Sequence, residues 1–188
     1  EKRKNSEYEI SLSELGDCVS GGNTTEEILN VKLLADAIGI LAECAGSLGM
    51  VGGQVLDMDA ETRICSDQDV YDIQSRKTGS LICAACRLGV IAVGGTQEQE
   101  QAAERYAQSL GLAFQIQDDI LDVIGDADKL GKATGMDDKK NTFVRLYGVE
   151  NCKQMVHTET QKAIAALSAF NDPKFHTELA LSLSDRDF

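Results

Sequence analysis

Gln115, Asp118, Asp119 and Asp122 stand at offsets 0, 3, 4 and 7 in the run from Gly111 to Asp122. On an α-helix those offsets make one stripe. Leu112, Ile116, Ile120, Val123 and Ile124 recur at helical spacing on an adjoining face. Three carboxylates on one stripe repel each other, and no Lys or Arg intersperses them between Gly111 and Asp128. An oxygen-rich, cation-free surface of this kind suits a hard divalent ion such as Mg²⁺. The plain alternative is a solvated acidic face, because D-D-x-x-D in isolation is a weak motif.

Three further stretches accompany the aspartates: Gly52-Gly-Gln-Val-Leu-Asp57, Lys77-Thr-Gly79 and Leu130-Gly-Lys-Ala-Thr-Gly-Met-Asp137. Each is weak singly, and their ordered set carries more weight. Together they resemble the trans-polyprenyl diphosphate synthases, above all the bacterial farnesyl and geranylgeranyl types, with Asp118-Asp-Ile-Leu-Asp122 in the place of the second aspartate-rich motif. The resemblance runs from about Ile28 to the C-terminus.

That resemblance implies a Mg²⁺-dependent prenyl transfer. Isopentenyl diphosphate would condense with an allylic diphosphate, dimethylallyl or geranyl, to a short-chain product, farnesyl diphosphate at the family level. It implies Asp118 as direct Mg²⁺ ligand, with Asp119 and Asp122 acting through metal-held waters. Gln115 would face the allylic substrate. Lys77 and Lys132 would bind diphosphate, Lys77 at a helix kink. Thr78 would sit near the developing cation, and Asp137 would hold a metal-bound water or a lysine. Gln54 and Asp57 would point into the same cavity. Each has a bland counterpart: Lys77 as a solvated helix lysine, Lys132 as loop decoration, and Asp57 as a helix-surface acid.

These residues need helices to position them. Thr24-Thr25-Glu-Glu predicts a helix start with Thr as N-cap, running to about Ala60. Gly46, Gly49, Gly52 and Gly53 fall inside it and allow close helix approach. A second helical region is expected from about Ser66 to Gly94, and a third from Gln97 to Gly125. Gly125 to Asn141 reads as a charged loop, and two helices joined near Asn171-Asp-Pro173 follow. With one proline and no alternating strand segments, the fold is expected to be all-α. It would be an isoprenoid-synthase-type helical bundle around a central cavity. Residues 1–22 are a polar segment without assigned structure, and residues 23–188 read as the C-terminal part of a single domain.

The net charge of −13 argues against a nucleic-acid binder. It leaves an anionic substrate open, because Mg²⁺ inverts the local potential. No secretory leader is visible, and no apolar run is expected to reach membrane-spanning length. Six cysteines show no regular disulfide spacing, so reduced, cytoplasmic thiols are expected. Cys83-Ala-Ala-Cys86 has redox or zinc spacing, but it lies in an apolar helical pattern with no second ligand pair, which favours packing. His157 and His176 lie outside every motif.

The departures from the family pattern are equally specific. Residues 1–50 supply neither the first aspartate-rich motif with its paired arginines nor the early glycine-lysine-arginine segment. Glu26-Glu27 is a pair of acids without the rest. The loop Asp137-Asp-Lys-Lys-Asn-Thr142 is short for a bacterial relative, and the register of Lys139 and Lys140 stays open. Half of the expected active site is thus present, and the bundle is incomplete on its N-terminal side. Three readings follow: a prenyltransferase whose remaining half lies outside this sequence, a noncatalytic or partner-dependent subunit, and a terpene cyclase. The family resemblance also implies a homodimer.

Overall fold

The computed structural model describes residues 25–130 and 141–186. Among them every regular element is helical and no strand occurs, as the all-α expectation requires. In chain order the α-helices are α1 (Thr25–Ala45), α2 (Met50–Ala60), α3 (Asp67–Gln74), α4 (Ser80–Ala92), α5 (Gln97–Leu130), α6 (Phe143–Tyr147), α7 (Val149–Ala166) and α8 (Lys174–Ser184). A π-helical segment, Ser75–Gly79, joins α3 to α4. The chain divides into two compact units, residues 1–38 and 39–188. The first contributes the opening turns of α1, and the second holds every site residue discussed below.

Two expectations need correction. The helix predicted over 24–60 breaks at Gly46–Gly49, where a Cβ on Gly49 would lie 1.9 Å from the Cys44 carbonyl oxygen. Only glycine lets the chain turn so closely on itself there. The loop predicted from Gly125 begins later, because α5 continues to Leu130. At 34 residues α5 is about 50 Å long. One glycine costs about 1 kcal/mol in a helix, too little to end one of that length.

Local signals set the other boundaries. Ser66 caps α3 in a reciprocal capping box, its hydroxyl accepting from Asp69 N–H while the Asp69 carboxylate accepts from Ser66 N–H. Arg63 clamps the same carboxylate with two hydrogen bonds of 3.0 and 3.2 Å. The bonds from Arg63 and then Ser66 hold the Asp69 carboxyl well below the usual carboxylate range. A second box opens α5, where Thr96 and Gln99 exchange hydrogen bonds of 2.9 and 3.2 Å. Gly148, at φ +75°, separates α6 from α7.

The long α5 lies between α4 and α7 and supplies the core. Ala113, Ile116 and Ile120 on its inner face pack with Val70, Ile73, Phe143, Cys152 and Val156. Tyr71 meets Phe143 edge-on at 5.0 Å. Nearer the start of α5, Tyr106 and Leu110 pack with Ala163, Leu167 and Ala180, and the Tyr106 hydroxyl donates to the His176 carbonyl at 2.9 Å.

On α2 and the turn before it, Leu48, Val51, Val55 and Met58 are exposed at helical spacing. The stretch Val31–Ala60 is in fact long and apolar enough, by length and composition, to cross a membrane. That corrects the expectation that no run approaches this length. The Gly46–Gly49 turn interrupts it midway, and an interrupted helix is a poor span on its own.

Candidate functional site

The site grows from a close approach of α2 to the π-helical segment. Gly53 is buried, and a Cβ there would lie 2.2 Å from the Lys77 backbone nitrogen and 2.7 Å from its Cα. Backbone cannot move aside cheaply, so glycine is what allows the contact. The approach brings Lys77 Nζ to 2.5 Å from Asp57 Oδ2, with both side chains about one-third exposed. The extra residue of a π turn rotates the chain relative to a regular helix, and such turns often mark functional positions. Here it carries Arg76, Lys77 and Thr78. Lys77, expected at a helix kink, sits in a π-helical segment. Gln54, the partner expected beside Asp57, is exposed on α2.

Hollows lie on both sides of this segment. Lys77 and Thr78 stand at the edge of an apolar groove of about 820 Å³ lined by Leu81, Ile82, Val90, Leu110 and Phe170. Gly79 borders a second cavity of about 410 Å³, whose walls include Cys44, Leu48, Cys83 and Leu112. Arg87, Glu104 and Glu43 add charge to that second wall. Arg87 is pinned there by Glu100, with hydrogen bonds of 2.8 and 3.1 Å from α4 to α5. No sequence motif pointed to that pair.

The aspartates lie on α5, one helix away from Lys77. Gln115 and Asp118 are half-buried and Asp122 is exposed. The stripe does not act as one unit. Asp118 Oδ1 accepts from Arg186 Nη2 at 2.8 Å, whereas Asp119 Oδ2 accepts from the Phe143 backbone N–H at 2.8 Å. Asp119 thus supports the first turn of α6, whose Thr142 cap accepts from Arg145 N–H. Among the described residues, no three His, Cys, Asp or Glu side chains come together closely enough to hold a metal ion on their own. Asp118 and Asp122, one turn apart and open to solvent, still suit Mg²⁺. That ion keeps several waters and commonly takes one or two carboxylates plus substrate phosphate oxygens. Lys132 and Asp137, with Lys139 and Lys140, lie outside the described residues.

Sequence reasoning also missed two residues that organise this end of the bundle. Asn141 donates to the Ala60 and Arg63 carbonyls at 2.7 and 3.0 Å and accepts from Cys65 N–H at 2.9 Å. It ties the end of α2 to the segment leading into α6. Arg186 follows α8 and meets α5 at Asp118, 68 positions away. Nothing local marks either residue.

Cys83 and Cys86 are free thiols on α4, with Cys83 buried. Burial pushes the Cys83 thiol up to about 12 and raises Cys86 as well. The C-x-x-C spacing therefore serves packing.

Acids one turn apart on the longest helix, a lysine on a π turn and an apolar groove beside that lysine belong to an all-α helical bundle. Residues 22–176 match the polyprenyl synthetase family model, and the chain belongs to that family. It is 38% identical over 148 residues to the farnesyl diphosphate synthase of Escherichia coli (strain K12), covering 77% of this chain and 50% of that protein. Geranylgeranyl pyrophosphate synthase 4 of Arabidopsis thaliana is 33% identical over 163 residues, covering 84% of this chain and 44% of that protein. Among solved structures, the Helicobacter pylori geranyltransferase complexed with magnesium and isoprenyl diphosphate superposes with a TM-score of 0.63 at 30% identity. That superposition covers 80% of this chain and 50% of the other. The chain spans about half the length of the curated relatives it matches.

Proposed function

We propose that residues 23–188 are the C-terminal part of an isoprenoid synthase domain. Its enzyme condenses isopentenyl diphosphate with dimethylallyl or geranyl diphosphate in the presence of Mg²⁺. The observation carrying this reading is the family match over residues 22–176, which include Lys77 on the π-helical segment, its partner Asp57, and Asp118 and Asp122 on α5. Farnesyl diphosphate is the product we favour, on the likeness to bacterial farnesyl diphosphate synthases. Homodimerisation and a cytoplasmic setting complete the proposal, the latter supported by the free thiols of Cys44, Cys65, Cys83, Cys86 and Cys152.

The demanding step is heterolysis of the allylic C–O bond. Bound at Asp118 and Asp122, Mg²⁺ would supply Lewis-acid stabilisation of the departing diphosphate. The residues of this chain do the rest. Lys77 places an ammonium beside the diphosphate oxygens, and Asp57 orients it. Thr78 presents its hydroxyl where positive charge develops on the allyl group. Gln115 orients the allylic substrate without adding charge. Apolar side chains of α4 and α5 exclude water from the carbocation until isopentenyl diphosphate attacks and a proton leaves. Asp119, whose Oδ2 also accepts from Phe143 N–H, would act on the metal through held waters.

Radiolabelled isopentenyl diphosphate supplied with an allylic diphosphate and Mg²⁺ tests the reading. Incorporation into a longer acid-labile product supports elongation, and an unlabelled cyclic hydrocarbon would instead mean a terpene cyclase. Activity that appears only on mixing with a second family chain would mark a partner-dependent subunit.

A further inference from the structure

We propose that Arg186 is a positioning residue for the metal-binding aspartates. It acts as the resident counter-ion of Asp118 and competes with a divalent cation for that carboxylate. The proposal rests on the Mg²⁺ assignment above and extends it to a residue beyond the matched residues 22–176.

Four contacts hold Arg186 in place. Its Nη2 donates to Asp118 Oδ1 at 2.8 Å. Its guanidinium lies 4.3 Å from the centre of the Phe114 ring, in cation–π range. Its Nε donates to the Leu183 carbonyl at 3.1 Å. Its own carbonyl accepts from Gln117 Nε2 at 3.2 Å. Phe114, Gln117 and Asp118 belong to one face of α5, so the residue following α8 is docked on the helix that carries the metal ligands.

Charge explains why such a contact matters. Asp118 and Asp122 lie one turn apart, and like charges at that spacing destabilise a helix. Without a metal, a guanidinium at Asp118 offsets that repulsion. The same pairing places a positive charge beside the carboxylate that the metal needs, and the two cations repel each other there. A divalent ion at Asp118 therefore competes with the guanidinium. The pair is partly open to solvent, with side-chain exposures of 30% and 42%. Its strength is therefore modest and the exchange is easy.

The experiment measures binding of Mn²⁺, as a stand-in for Mg²⁺, by the loss of its free electron paramagnetic resonance signal, without substrate. Arg186→Gln should tighten Mn²⁺ binding on the order of two- to fivefold. Arg105→Gln removes an equal charge about 20 Å along α5 and should change nothing. Circular dichroism melts check that each variant is folded. In the unmutated protein, saturating Mg²⁺ should move the Arg186 Nε–Hε nuclear magnetic resonance signal and leave that of Arg63 in place. Equal Mn²⁺ affinity in the original protein and Arg186→Gln, with binding lost in Asp118→Asn, overturns the role of Arg186 alone. An unmoved Arg186 signal overturns it too. If no protein binds Mn²⁺, the two carboxylates do not hold the ion without substrate and this inference falls, while the isopentenyl incorporation assay still decides the proposed function.

Discussion

Lys77 and Asp57 form an ion pair at 2.5 Å only because Gly53 lets α2 rest against the backbone of the π turn. The pair is partly exposed, so its own contribution to stability is small. Its value lies in aim. The carboxylate fixes the ammonium on a side chain that would otherwise sample many rotamers, and substrate binding then loses less entropy.

Gly53→Ala is therefore expected to damage the site through packing. The new Cβ would fall 2.2 Å from Lys77 N and 2.8 Å from the Arg76 carbonyl carbon. Overpacking of this kind costs about 1–3 kcal/mol. Chemical denaturation should report that loss, and isopentenyl incorporation should fall with it. Gly89→Ala is the control, because nothing lies within 4 Å of a Cβ there. It should leave stability unchanged or raise it by up to about 1 kcal/mol. Equal behaviour of the two variants would remove Gly53 from the account.

The helical architecture was legible because its signals are local. Ser66 with Asp69 mark the start of α3, and the apolar period of α5 shows in Ile116 and Ile120. The ordered motifs named both Lys77 and Asp57 as site residues, but not the ion pair between them. What stayed hidden depends on contacts across the chain. Asp119 reads as a metal acid in its stripe, and only the position of Phe143, 24 residues on, shows that it is also a helix-start acceptor. Arg186 and Asn141 have no local signature because their partners lie 68 to 81 positions away. The break at Gly46–Gly49 was misread for the opposite reason. Glycine spacing suits both close helix packing and a turn, and the sequence alone does not choose between them.

The thiols of α4 should be inert at neutral pH. A folded-state value near 12 for Cys83 lies well above that of a free thiol. At pH 8 its thiolate is scarcer than that of a free cysteine by about a hundredfold or more. Iodoacetamide labelling followed by peptide mass spectrometry should find Cys83 modified far more slowly than in urea. Rapid labelling of native Cys83, or a Cys83–Cys86 disulfide formed under mild oxidation, would reinstate a redox role.

The start of α3 should be sensitive to acid. Asp69 is held below its ordinary value by Arg63 and Ser66. Its native-state affinity for protons is thus weaker than in the unfolded chain. The stabilisation is present above the unfolded value near 4 and fades as pH falls through the lower folded value. Asp69→Asn should therefore lower Tm by a few degrees at pH 7, and the gap from the original protein should close progressively below about pH 4. A gap that stays constant down to pH 2 would show that the carboxylate charge is not the cause.

Asp118 and Asp119 are adjacent in sequence, and opposite outcomes are expected on replacing them. Asp118 touches solvent and one guanidinium, so Asp118→Ala deletes the proposed metal ligand while sparing the core. Turnover should fall by several orders of magnitude, with Tm within a few degrees of the original and helicity unchanged. Asp119 instead satisfies the Phe143 N–H, and Phe143 is fully buried against Tyr71. Asp119→Ala leaves that donor unpaired, at a cost of about 1–3 kcal/mol. Denaturation midpoints should drop, and activity should fall less than in Asp118→Ala once unfolding is corrected for. Asp119→Asn keeps a carbonyl acceptor at the same place and should recover much of the lost stability. If Asp119→Ala were instead stable and inactive, Asp119 would serve the metal, through a held water, beside its bond to Phe143.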